Sequence, residues 1–344
     1  MSQPTTVQIL TTPQVSASSL FGLYDTLTAA GRDWEALVTG EPETPVFDIQ
    51  LVGPTLDPFP CGNGLRIAPD VTFDQAGACD LIIVPGLNLS PRDRLNPAEH
   101  DGLRWLETRL HREARIVSAC TGAIYLAEIG ILDGVEATSH WAFSELFRKY
   151  YPKVRMRLDR GLCFSNAAEG PVTSGGTTGW QELALFLIAN YGDAQRAARA
   201  AKVWLMADRG ELQSPFTSMT SYTPHSDSAI EALQIWIAEN YAVENPVRAM
   251  VELSGIPQTS LTRRFVAATG KKPMEYVIAV RIEEARQMLE TTESSIADIG
   301  EEVGYSDTAS FRRLFRRRTG LSPSAHRKMF GAARFRRYAH GGAN

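Results

Sequence analysis

Two groups of residues in this 344-residue chain have the types and spacing that support chemistry. The first is centred on Cys120. The apolar run Arg115-Ile-Val-Ser-Ala119 passes directly into Cys120-Thr121-Gly122-Ala123, and a helical pattern follows to Ile129. A nucleophile on such a sharp strand-to-helix turn stands at a sheet edge, beside the unpaired N–H groups of a helix start. Those N–H groups lower a thiol's pKa. Twenty residues on comes Ala137-Thr-Ser-His140-Trp141. Later, Pro171-Val-Thr-Ser174-Gly-Gly-Thr177-Thr-Gly-Trp180 reads as a small-residue loop opening another helix. A thiol, an imidazole and hydroxyls in one region serve nucleophilic catalysis, redox sensing or the lining of a ligand pocket. Each has a plain structural alternative: His140 as a packed, hydrogen-bonded histidine, and Trp141, Ser174 and Thr177 as core. Cys61, Cys79 and Cys163 show neither CxxC spacing nor a histidine cluster, so they read as structural. Neither a disulfide framework nor a metal site is expected, and no cofactor is implied.

The second group is a repeat. Ser260-Leu-Thr-Arg-Arg-Phe265-Val-Ala-Ala-Thr269-Gly270-Lys271-Lys272-Pro273 returns, at an offset of 50, as Ser310-Phe-Arg-Arg-Leu-Phe315-Arg316-Arg317-Arg-Thr319-Gly320-Leu-Ser-Pro323. Met250-Val-Glu-Leu-Ser-Gly255-Ile precedes the first copy and Ile299-Gly-Glu-Glu-Val-Gly304-Tyr the second. Each copy is a short helix, a glycine-containing turn and a second helix, which is the helix-turn-helix pattern. The second helix buries Leu261 and Phe265, or Phe311 and Phe315, and leaves its other face for a major groove about 12 Å wide. A helix from Pro273 to Leu289 spaces the copies, and two readers on one duplex face sit roughly 34 Å apart. Two helical hairpins that bind another protein are the structural alternative. Charge favours nucleic acid. From Asn245 to Asn344, 17 Lys and Arg stand against 10 Asp and Glu, a net of +7, which leaves −11 on the other 244 residues given −4 overall. An acidic body with a basic end suggests a DNA-binding terminus.

These groups need elements to position them. Val7 to Leu10, Cys79 to Val84 and Arg115 to Ala119 read as strands. Leu20 to Ala30, Pro97 to Arg112, Thr121 to Ile129 and Trp180 to Tyr191 read as helices. Their alternation predicts an α/β domain over 1–205, a parallel sheet sandwiched by helices. Met206 to Asp227 is rich in Ser, Thr and Pro and reads as a connector. It contains Leu212, Phe216, Met219 and Tyr222, which suit packing on a domain surface. An all-α domain with two helix-turn-helix units follows over 228–332, and residues 333–344 form a basic tail expected to be disordered. The composition, 44% hydrophobic and 22% charged, is that of an ordinary soluble protein. Met1 to Thr12 lacks the basic start and apolar core of a signal peptide, so the expected location is the cytoplasm, with no membrane partner.

Over about Ile230 to Phe330 the sequence resembles the AraC/XylS family of transcription regulators. Pro273-Met-Glu-Tyr-Val277, Arg281-Ile-Glu-Glu-Ala-Arg286, Ile299-Gly-Glu-Glu-Val-Gly-Tyr305 and Thr319-Gly-Leu-Ser-Pro323 carry the resemblance. Gly300 departs from it, standing where the family usually has alanine. The resemblance implies base-reading positions at Gln258, Thr259, Thr262 and Arg263 in the first copy. In the second they are Thr308, Ala309, Arg312 and Arg313. Arg pairs bidentately with guanine and Gln with adenine. Arg316, Arg317, Lys271 and Lys272 suit phosphate clamps, which position without specifying. Over roughly Val7 to Trp204 the chain resembles the PfpI branch of the class I glutamine amidotransferase-like superfamily. Cys120 then falls on its elbow cysteine and His140 on its histidine. Enzymes and redox-active members usually carry a carboxylate after the first strand, where Thr11 to Ser19 has none. Gln181 stands where an aspartate is common.

The combined expectation is a regulator that binds promoter DNA, meets RNA polymerase, and forms a homodimer through its first domain. A small-molecule effector is expected at Cys120, Thr121, His140, Ser174 and Thr177, where the strands end. Three alternatives stand beside it: a PfpI-type cysteine enzyme with an accessory DNA-binding domain, a redox switch at Cys120, and a constitutive DNA binder with a vestigial pocket.

Overall fold

Short apolar runs, too short for helices, form the middle of the first unit. The computed structural model describes residues 3–38, 40, 44–97, 100–110, 114–165, 170–206 and 225–332. In chain order the elements are β1 (Thr5–Leu10), α1 (Ala17–Ala29), α2 (Asp33–Val38), β2 (Phe47–Gly53), β3 (Phe59–Cys61), β4 (Leu65–Ile67), β5 (Val71–Thr72) and β6 (Leu81–Val84). Then come α3 (Asp101–Arg109), β7 (Arg115–Ala119), α4 (Ala123–Glu128), β8 (Glu136–Ala137), α5 (Ser144–Tyr150), β9 (Arg155–Met156), β10 (Leu162–Phe164), β11 (Val172–Ser174), α6 (Trp180–Leu187) and α7 (Ala194–Val203). Seven strands make one sheet in the order β10-β11-β7-β6-β1-β2-β5. Every pairing is parallel except β10 with β11 at the edge. All four residues of β6 are fully buried. Because successive side chains point to opposite faces, both faces of the sheet are covered.

β1, β6 and β7 are neighbours, so the loops at their C-terminal ends meet. The expected strand Arg115–Ala119 forms as read. A single 3-10 turn, Cys120–Gly122, precedes α4, so the α-helix starts two residues later than its pattern suggests. β11 is a correction. Val172-Thr-Ser174 lies in the stretch read as a loop, yet it pairs with β7, Val172 opposite Val117 and Ser174 opposite Ala119. Two β-branched residues in three suit a buried strand, and the surrounding glycines hide the signal.

The chain divides into two units at Gln213 and Ser214. The connector expected at 206–227 and the tail expected at 333–344 lie largely or wholly outside the described residues. The second unit holds α8 (Ser228–Asn240), α9 (Pro246–Ser254), α10 (Gln258–Thr269), α11 (Pro273–Thr291), α12 (Ile296–Glu302), α13 (Thr308–Thr319) and α14 (Pro323–Phe330). Proline opens α9, α11 and α14, where its missing N–H costs nothing. Side chains of Asp227, Ser295, Asp307 and Ser322 cap α8, α12, α13 and α14 by accepting from backbone N–H groups. Two separate cores result. Ile230, Leu233, Ile237, Met250, Leu261, Phe265, Val277 and Val280 build the first, and Ile282, Ala285, Leu289, Ile299, Val303, Phe311 and Phe315 the second. Among the described residues no helix is long and apolar enough to cross a membrane.

Candidate nucleic-acid interface and elbow site

The 50-residue repeat is also a repeat in three dimensions. Gly255 ends α9 at φ +64°, and Gly270 and Gly320 end α10 and α13 at +72° and +79°. These left-handed conformations favour glycine. Thr269 Oγ1 donates to the Phe265 carbonyl and accepts from the Lys271 N–H, and Thr319 does the same with Phe315 and Leu321. Both reader helices therefore stop through one device and turn into a proline-started helix.

Leu261 and Phe265 of α10, and Phe311 and Phe315 of α13, are fully buried, as their spacing predicts. On the opposite faces, Gln258, Thr259, Arg263, Ala309, Arg312, Arg313, Arg316, Arg317 and Lys272 are exposed. Thr262, Thr308 and Lys271 are half-buried. Thr262 Oγ1 donates to the Gln258 carbonyl at 2.9 Å, which holds the hydroxyl on the helix and suits a methyl contact with thymine. Arg313 donates to Ser310 Oγ at 2.8 Å. The α13 sequence holds five arginines and no acid, so its exposed face is the stronger cationic surface of the two.

Arg264 is adjacent to Arg263 but has another task. Its Nε and Nη2 donate to the Asp227 carboxylate at 2.8 and 2.6 Å, tying α10 to the start of α8. Asp307 was not among the expected site residues, although an aspartate before a helical run is a legible cap. Its carboxylate accepts from the Ala309 and Ser310 N–H groups and orients the first turn of α13.

Behind α13, His326 is fully buried against Phe315, with ring centroids 5.5 Å apart. Its Nε2 lies 2.8 Å from Glu290, and Nδ1 has no partner among the described residues. Burial holds this imidazole's pKa below the ordinary 6.5, with the Glu290 hydrogen bond opposing and nearby Arg286 adding to the shift. The unfolded chain then binds more protons than the native one below pH 6.5, so acid favours unfolding. This histidine's contribution is complete above the unfolded value and is lost as pH falls toward the depressed native one. Thermal melts of the second unit between pH 7.5 and 5 are expected to show a falling midpoint, and His326→Gln, which keeps a donor for Glu290, is expected to flatten that fall. An equal slope in the variant would assign the acid sensitivity elsewhere.

In the first unit, Cys120 takes φ +54°, a left-handed conformation that a non-glycine residue adopts only at a cost. The elbow is over-determined. Thr121 Oγ1 donates to the Leu87 carbonyl and accepts from the Leu87 N–H, both at 2.6 Å. Ser139 Oγ donates to the Cys120 carbonyl, and Ser19 Oγ accepts from the Gly86 N–H. Cys120 is 7% exposed, and burial pushes its thiol pKa up, outweighing the lowering by neighbouring Thr121. This corrects the expectation of a depressed thiol: desolvation wins over the helix start.

His140 is an N-cap. Its Nδ1 accepts from the Ala142 N–H at 3.2 Å, and burial lowers its pKa. Among the described residues no hydrogen bond joins it to Cys120, and no carboxylate hydrogen-bonds either residue. Ser174 lies in register with Ala119, fully buried, with a hydroxyl that has no partner among the described residues. Thr177 is exposed, and the Thr121 hydroxyl is committed to Leu87. A separate cleft of about 940 Å³ opens beside Thr5, Thr6, Asp80 and Arg109. It sits where β1 and β6 begin, whereas doubly wound sheets take ligands where strands end.

A covered parallel sheet with a strained elbow cysteine, joined to a paired helix-turn-helix unit, defines a two-part protein of regulator architecture. The chain belongs to the DJ-1/PfpI family, which matches residues 6–189, more than half of its length, and it carries an AraC-type helix-turn-helix domain matched at 250–329. It is 26% identical over 274 residues to the HTH-type transcriptional regulator CdhR of Pseudomonas aeruginosa, covering 78% of each chain. It is 26% identical over 294 residues to the HTH-type transcriptional regulator GlxA of Rhizobium meliloti, covering 84% of this chain and 87% of that one. It is also 29% identical over 135 residues to the isonitrile hydratase of Pseudomonas putida, covering 39% and 51%.

Proposed function

We propose that this chain is a sequence-specific DNA-binding transcription regulator whose first unit binds a small-molecule effector. It acts in the cytoplasm as a homodimer on promoter DNA and contacts RNA polymerase there. The observation that carries the reading is the pair of matching reader helices, each with a buried aromatic face and a polar or arginine-rich exposed face. Effector binding shifts the equilibrium between regulatory states by its differential affinity for them. The orphaned Ser174 hydroxyl beside the elbow supports a ligand with a hydrogen-bonding group there.

Cys120 is not a catalytic nucleophile in this reading. Burial raises its thiol's pKa, and among the described residues no carboxylate or imidazole hydrogen-bonds it to activate it.

The test is binding of the fragment Ser228 to Asn344 to duplex DNA, with salt dependence. Arg312→Ala and Arg313→Ala are each expected to cost about 1–3 kcal/mol on a selected site. Arg316→Ala is expected to weaken all sequences alike. In the full chain, Cys120→Ser is expected to leave promoter binding intact. Absence of salt-dependent duplex binding by the fragment would defeat the reading, and turnover of a nitrile-like or amide substrate abolished by Cys120→Ser would restore the enzyme alternative.

A further inference from the structure

Among the described residues the cores around α10 and α13 have no fully buried residue in common, and the half-buried Tyr241 packs against both, so the angle between the two reader helices depends on the few groups that bridge them. α11 runs through both: Val277 and Val280 belong to the first core, and Ile282, Ala285 and Leu289 to the second. Arg281 sits at the boundary, 4% exposed. Its Nε donates to the Tyr241 carbonyl at 2.7 Å and its Nη2 to the Val243 carbonyl at 2.8 Å. Both acceptors lie between α8 and α9, at the entry to the first helix-turn-helix. Its Nη1 donates to the Gly304 carbonyl at 3.1 Å, in the turn of the second. The guanidinium also lies 5.3 Å from the centre of the Tyr305 ring. Gly304, at φ +87°, comes so close to the entry loop that a Cβ would stand 2.7 Å from the Ala242 carbonyl oxygen. The turn of the second unit thus rests on the entry of the first, and one planar cation is bonded to both.

We propose that Arg281 is a positioning residue that sets the register between the two reader helices, and thereby the half-site spacing the protein accepts. This rests on the DNA-binding reading above. Arg281 lies on neither reader helix and acts by geometry. A rigid fork of donors holds three carbonyls at fixed angles, which a flexible ammonium with a single charge centre does not reproduce. When two modules are held in the right geometry, the second binding event is intramolecular, and that gain vanishes where the geometry is lost.

The experiment uses the full chain and a duplex selected from a random pool by the wild-type protein. Affinity is measured for that duplex, for each half-site alone, and for versions with the spacer changed by two base pairs. The wild type is expected to lose about a hundredfold on the altered spacers. Arg281→Met is expected to lose a similar factor on the selected duplex, to keep each half-site affinity within about threefold, and to respond little to spacer length. Arg281→Lys retains the buried charge and gives a second readout should the methionine variant fail to fold. It is expected to fall between the two in spacing dependence. Unchanged spacing dependence in a variant that binds, or loss of half-site affinity as large as the loss on the whole site, overturns the proposal. A wild-type chain that binds no duplex overturns the DNA-binding reading itself and the clamp with it.

Discussion

Phe315→Ala is expected to destabilise the second helix-turn-helix by about 3–5 kcal/mol and to empty α13 of its DNA-binding activity. Phe315 is fully buried and packs edge-on against both Phe311 and His326, with centroids 5.8 and 5.5 Å away. Among the described residues the core around it contains seven buried hydrophobic side chains, so a single aromatic ring is a large share of its apolar contact. That loss compares with the whole stability of an ordinary domain, about 5–15 kcal/mol. Phe265→Ala is the matching change in the first core. Because neither phenylalanine belongs to the other's core, amide hydrogen exchange is expected to show protection lost in α12 to α14 for Phe315→Ala, with α8 to α10 retained. Phe265→Ala is expected to give the reverse. Simultaneous loss of protection across both halves in either variant would show one cooperative body and count against two separately stabilised cores.

Gly122→Ala carries the largest expected effect in the first unit. A Cβ at Gly122 would stand 2.5 Å from the Val84 carbonyl oxygen and 2.6 Å from that of Pro85. Both are backbone atoms at the end of β6, so no side-chain rotation relieves the overlap. The backbone angle is no obstacle, since φ there is −56°. The elbow must move off the strand, which breaks the paired Thr121 and Leu87 hydrogen bonds. We expect a loss of at least about 3 kcal/mol, the upper range for overpacking, and a fall in melting temperature of roughly 6–12 °C. The Cys120 thiol is expected to become reactive toward a thiol reagent as its burial is lost. Gly130→Ala is the control. Its φ is +82° with nothing within 4 Å of the added carbon, so it carries only the conformational cost of about 1 kcal/mol. Equal melting temperatures for the two variants would show that the elbow yields easily and that its packing is not what holds Cys120.

The helix-turn-helix pair was readable because its constraints are local. Gly255, Gly270 and Gly320 need left-handed backbone, Pro273 and Pro323 start helices, and Leu261, Phe265, Phe311 and Phe315 share the spacing of one helical face. Such requirements act within a few residues, so they leave a periodic mark that survives without any three-dimensional information. Arg115 to Cys120 was readable for the same reason, an apolar run ending in small residues. β11 was not, because three residues among glycines carry too little pattern until β7 is there to pair with them. The state of Cys120 was not either. A helix start and a buried site push a thiol in opposite directions, and only packing by distant segments, bringing Ser19, Gly86 and Ser139 to the elbow, decides which prevails. Arg263 and Arg264 look interchangeable in the chain. The fold turns one outward and pairs the other with Asp227, 37 residues away. Arg281 shows the limit most clearly: in the sequence it is only part of a stretch that carries a family resemblance, and its three carbonyl partners come together only after residues 38, 40 and 23 positions away have been brought to it. Carbonyl oxygens belong to every residue alike, so no residue type in the sequence marks where such a clamp will close.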